Sequence, residues 1–107
     1  MSEPAPIVRG TNIKLNELIR GMPSFQTEKD SLDMEMRRLG GAATWGTLHP
    51  LIRRCDMAMQ TARQYLIEQE LQNTDLVTYP PYTATLVEID QSLTALYALE
   101  AELIKKI

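Results

Sequence analysis

Residues 47–73, TLHPLIRRCDMAMQTARQYLIEQELQN, form the longest helical pattern in the chain and decide the reading of the rest. Leu48, Ile52, Cys55, Met59, Ala62 and Leu66 follow one another at alternating steps of four and three, which sets them on one helix face. Leu51, Ala58 and Tyr65 widen that stripe on its flank. A stripe this wide must be covered, and another helix is its natural partner. Thr47 reads as the cap, with Pro50 in the first turn, where a missing N–H costs little. The helix would span roughly 38 Å at about 1.5 Å per residue.

The partner is found downstream. In residues 83–107, Leu86, Ile89, Leu93, Leu96, Leu103 and Ile107 mark an a/d-like stripe, interrupted by Glu100. Thr85 and Glu88 have the spacing of a capping box, and Lys105 and Lys106 suit the negative end of the helix dipole. Asn73, Thr74 and Asp75 mark a reversal between two helices of similar length. An antiparallel hairpin of about 47–73 and 83–107 follows. The intervening LVTYPPY, residues 76–82, reads as an extended crossing with Tyr79 and Tyr82 laid over the bundle end.

Upstream, Thr11–Arg20 is a short helix with Leu15, Leu18 and Ile19 on one face, ended by Gly21 and Pro23. At under three turns it must dock on another surface. Thr27–Leu39 is a second helix. Its stripe is Leu32, Met36 and Leu39, Thr27 and Asp30 approximate a capping box, and Asp33–Arg37 and Glu35–Arg38 can pair along its outer face. Gly40 and Gly41 stop it. Residues 1–10 hold Pro4, Pro6 and Gly10 and read as an extended arm. The expected organisation is therefore an all-α small helical bundle. A hairpin lies at its centre, two shorter helices precede it, the single domain covers 11–107, and an N-terminal arm covers 1–10.

Composition bounds the function. In 107 residues, 44% are apolar but Phe and Trp occur once each, so the core must be built from Leu, Ile, Met and Ala. Eleven basic and fourteen acidic residues give a net charge of -3, no electrostatic basis for broad nucleic-acid or anionic-membrane binding. Residues 74–107 hold five acidic residues against two basic, which suggests an acidic outer face on the last helix. The longest uncharged runs, 40–52 and 76–87, fall short of the roughly 20 apolar residues of a membrane span. The N-terminus lacks the charged and apolar regions of a signal peptide, so the expected location is the cytoplasm, or a particle assembled there, rather than outside the cell.

The chemistry-bearing residues do not assemble into a known motif. Cys55 is the single cysteine and sits in the apolar stripe, as a buried, inert thiol would. His49 is the single histidine and lies six positions away, off the i, i+4 spacing that zinc motifs use. On a helix Asp33 and Glu35 point apart, and arginines neutralise them, so a Mg²⁺ site with Asp30 is not formed. No cofactor, metal or catalytic set is expected.

Arg37–Arg38, Arg53–Arg54 and Arg63 could touch an anion or nucleic acid, but no aromatic interleaves them. The leading expectation is a non-enzymatic interaction protein. It would be a structural or assembly subunit, for instance of a virus particle, acting through homo-oligomer formation or packing against a protein partner. The alternatives are a small regulatory protein that inhibits one enzyme, and a weak nucleic-acid-binding accessory protein. Candidate partner contacts are Ile7, Val8 and Arg9 in the arm, Trp45 in the small-residue turn, and Tyr79 and Tyr82 in the crossing.

Overall fold

The computed structural model describes the backbone from residue 5 and side chains from residue 13. Four helices follow one another: α1 (Ala5–Arg20), α2 (Gln26–Leu39), α3 (Trp45–Gln72) and α4 (Pro80–Lys105). Single 3₁₀ turns at Gly40–Ala42 and Thr74–Thr78 join α2 to α3 and α3 to α4. The described residues contain no strand. None of these helices is long and apolar enough to cross a membrane.

The hairpin is α3 against α4. Tyr82 pairs with Glu70, Asp90 with Arg63, and Tyr97 with Asp56. Position therefore falls along α3 as it rises along α4, which makes the two antiparallel. All six stripe residues of α3 are buried and meet Ile89, Leu93, Leu96 and Leu103. The remaining side of α3 is covered by α1 and α2 in succession. The Tyr65 hydroxyl donates to the Leu18 carbonyl at 2.6 Å, and the Cys55 thiol donates to the Glu28 carbonyl at 3.0 Å. Again the positions run opposite, so α1 and α2 are two pieces of one interrupted helix laid antiparallel along α3. The break is at Gly21, where a Cβ would come within 2.5 Å of the Tyr65 hydroxyl oxygen. A Cβ there would push the tip of the Tyr65 ring aside and disturb its bond to the Leu18 carbonyl.

The helix starts differ from the expected ones, for one recurring reason. Proline breaks a helix interior but suits its first turn, where no N–H donor is needed. Thus α4 begins at Pro80, three residues early, with prolines in its first two positions. The expected extended crossing is instead a 3₁₀ turn running into α4. Thr85 does not cap; it lies inside the helix and donates to the Pro81 carbonyl at 2.8 Å. Likewise α1 starts at Ala5 with Pro6 in second position, so residues 5–10 are helical rather than extended. Residues 1–4 lie outside the described residues.

Two more caps fall elsewhere than expected. α3 starts at Trp45, capped by Thr44. The Thr44 Oγ1 accepts from the Thr47 amide at 3.2 Å and the Thr47 Oγ1 accepts from the Thr44 amide at 2.9 Å, a reciprocal box. Pro50 consequently falls in the helix proper, and it removes the donor that the carbonyl of solvent-exposed Gly46 would otherwise meet. At the start of α2, Phe25 holds the cap position without a side-chain bond, and Asp30 accepts from the Gln26 side chain at 2.9 Å instead of boxing with Thr27.

The result is slender, 62 × 22 × 19 Å, with a radius of gyration of 18.0 Å. A compact chain of this length has about 13 Å. α3 supplies about 42 Å of that length at 28 residues, with only one layer of helix on each side of it.

Candidate interaction surfaces

Two surfaces follow from this layout. The first is a groove above α3, flanked by α2 and α4. The Lys29 ammonium donates to Ser92 Oγ at 3.4 Å across one end of it, and Met36 and Leu99 face each other at the other. Lys29 also lies 5.7 Å from the centre of the Phe25 ring. The groove encloses about 280 Å³, with Cys55 and Met59 beneath it. Cys55 is 0% exposed. Burial is the main reason its thiol is pushed up to about 11, and the nearby charges of Glu28 and Asp33 add to it against the opposing effect of Lys29. A thiol held protonated and already donating to a carbonyl is neither a nucleophile nor a soft metal ligand at neutral pH.

The second surface is the back of α4. At 100° per residue, Ala84, Val87, Gln91, Thr94, Ala98 and Ala101 fall on a narrow line facing away from the buried Ile89–Leu93–Leu96–Leu103 stripe. All six are exposed. None of the six is charged, and Val87, Gln91, Thr94 and Ala98 border, together with Asp90 and Ala95, a shallow depression of about 430 Å³. The acidic outer face expected for this helix is therefore split. Glu88 lies on one flank and Asp90 on the other, Glu102 and Lys105 fall on the line itself beyond Ala101, and Glu100 is half-buried. Sequence reasoning missed this line because it followed apolar residues inward and counted charge over the whole segment. The signal was present as an uncharged 3–4 spacing opposite the core stripe.

The residues expected to touch a partner are scattered. Ile7, Val8 and Arg9 lie in the first turns of α1, and their side chains are outside the described residues. Trp45 is half-buried at the start of α3 and stacks on His49, with ring centroids 4.2 Å apart and planes tilted by 34°. Tyr79 is half-buried and packs against the core.

Tyr82 differs most from its expected role. It is 2% exposed, and its hydroxyl lies 2.5 Å from a Glu70 carboxylate oxygen and 3.4 Å from the Leu66 carbonyl. It latches the closed end of the hairpin and presents no surface for binding. Burial first, then the Glu70 bond, push its phenol well above the ordinary range. Tyr97 is the exposed counterpart. Its hydroxyl donates to Asp56 at 2.7 Å, which raises its pKa, and accepts from the Gln60 side chain at 3.0 Å.

The charged residues separate in the same way. Glu35 and Arg38 form a forked pair, with Arg38 Nε donating to Glu35 Oε1 at 2.9 Å, while Asp33 turns toward the groove. Arg63 is tied to Asp90 at 2.9 Å. Among the described residues no group of three or more His, Cys, Asp or Glu side chains could hold a metal ion. Comparison with known proteins finds no matching family model, no similar curated protein and no similar solved structure.

Proposed function

We propose that this chain is a non-enzymatic interaction protein, a helical subunit whose working form is packed against copies of itself or a larger protein partner. The observation that carries the reading is the set of large apolar side chains left on the surface: Met34 is 68% exposed, Met57 64%, Ile104 49% and Val87 48%.

Light scattering on the purified chain, together with mass measurement of complexes recovered from its native source, tests the reading. A stable complex of at least twice the chain mass is expected. A chain that stays monomeric throughout the micromolar range and recovers no stoichiometric protein partner would refute it.

A further inference from the structure

We propose that α2 is a lid, which comes off α3 as one unit while α3 and α4 stay folded and so uncovers Cys55 and Met59. Both ends of α2 are suited to this. Before it, residues 21–25 are not helical and include Gly21 and Pro23. After it, Gly40 takes a φ of +54°, and a Cβ built on Gly40 or Gly41 would meet no atom within 4 Å, so neither residue is packed in place. Phe25 holds the cap position of α2 without a side-chain bond. Within α2, Leu32 is the one side chain that is fully covered. Phe25, just ahead of the helix, is the other buried anchor, and Met36 and Leu39 are half-buried.

Among the described residues, two side-chain hydrogen bonds tie α2 to the other helices. The Cys55 thiol donates to the Glu28 carbonyl at 3.0 Å, and Lys29 donates to Ser92 at 3.4 Å. The bonds of Gln26 to Asp30 and of Arg38 to Glu35 are internal to α2. By contrast, the pairs that join α3 to α4 involve no residue of α2: Tyr82 with Glu70, Arg63 with Asp90, and Tyr97 with Asp56. On the side facing α4, α2 leaves the groove of about 280 Å³. An element with few buried side chains of its own opens locally before the whole fold does. Released from α3, a helix of fourteen residues is marginal in water, so α2 melts as it opens, with both ends still tethered. With α2 in place Cys55 is 0% and Met59 2% exposed. Raising α2 removes their cover and breaks the bond from Cys55 to Glu28.

The test on the full-length chain is the rate at which Cys55 reacts with an excess of an aromatic disulfide in native buffer, read from the aromatic thiolate released. Wild type, Leu32→Ala and Tyr82→Phe are compared. Leu32→Ala loosens the hold of α2 on α3, whereas Tyr82→Phe weakens the α3–α4 hairpin at its closed end. The expected result is labelling at least tenfold faster in Leu32→Ala and unchanged in Tyr82→Phe. Amide hydrogen exchange on the wild type, read by mass spectrometry, needs no variant to fold. The amides of α2 should exchange together, while those in the middle of α3 and α4 stay protected. Labelling that Tyr82→Phe speeds as much as Leu32→Ala does would overturn the inference. So would α2 amides as protected as those of α3 and α4, because Cys55 would then be reached only by unfolding of the whole chain.

Discussion

Deprotonating Cys55 should destabilise this protein, and the size of the effect can be worked out. The thiol is fully buried, donates to the Glu28 carbonyl, and is raised from 9.0 to about 11 in the fold. A raised value means the native state holds its proton more tightly than the unfolded chain does. The stabilisation is therefore complete below pH 9 and is lost as pH rises from 9 toward 11. Two units correspond to about 2.7 kcal/mol in full, of which about 1.4 kcal/mol is gone at pH 10. Tyr82 and Tyr97 are raised as well and destabilise the fold in the same direction at high pH.

The assay must therefore be differential. Denaturant unfolding is run at pH 8 and pH 10 on the wild type and on Cys55→Ala. The tyrosine contributions cancel between the two proteins, and wild type should lose about 1.4 kcal/mol more than the variant over that interval. Equal losses would show that the thiol is not held protonated by the fold. The placement of Cys55 under the α2/α4 groove would then have to be abandoned.

Other perturbations read other parts of the fold. Ile52→Ala and Leu93→Ala each empty a site in the α3–α4 core and should cost about 2–5 kcal/mol in denaturant titration. No loss in either would remove the hairpin core. Tyr82→Phe takes the hydroxyl from half-buried Glu70 and should cost about 1.5–3 kcal/mol, the range for a hydrogen bond to a charged group. A Glu70→Gln chain should recover little further loss when Tyr82→Phe is added to it, because both remove the same bond. Deleting residues 1–10 keeps Leu15 and the Tyr65–Leu18 bond, so the melting temperature should be nearly unchanged by circular dichroism.

The hairpin core was legible because burial follows spacing wherever a stripe is wide. Each of Leu48, Ile52, Cys55, Met59, Ala62 and Leu66 lies inside, and the flanking Leu51, Ala58 and Tyr65 are half-buried. The stripe of α4 was read one step too far. Ile107 is 82% exposed because the helix stops at Lys105, two residues before it. Helix starts were less legible because proline has opposite meanings by position. By sequence Pro6, Pro80 and Pro81 read as breakers, yet each lies in a first turn. Gly10 strengthened that misreading, since its cost inside a helix is only about 1 kcal/mol, small enough for sixteen residues of α1 to absorb.

The interaction surface was missed for a different reason. Net charge is a sum over residues, whereas a docking face depends on where around the axis those charges lie. Five acidic and two basic residues in 74–107 are compatible with a uniformly acidic helix and equally with one whose charges all stand at the rims. Only the helical phase relative to the buried stripe separates the two cases. Once Ile89, Leu93 and Leu96 are known to point inward, Val87, Gln91, Thr94 and Ala98 must point outward, with Asp90 beside them and Lys105 further along the same line. The groove between α2 and α4 could not have been reached in this way. It depends on α2 running beside α4 across α3, a juxtaposition that no spacing within either helix encodes. It is set by the break at Gly21, where the Tyr65 hydroxyl fixes how α1 hands over to α2 along the length of α3.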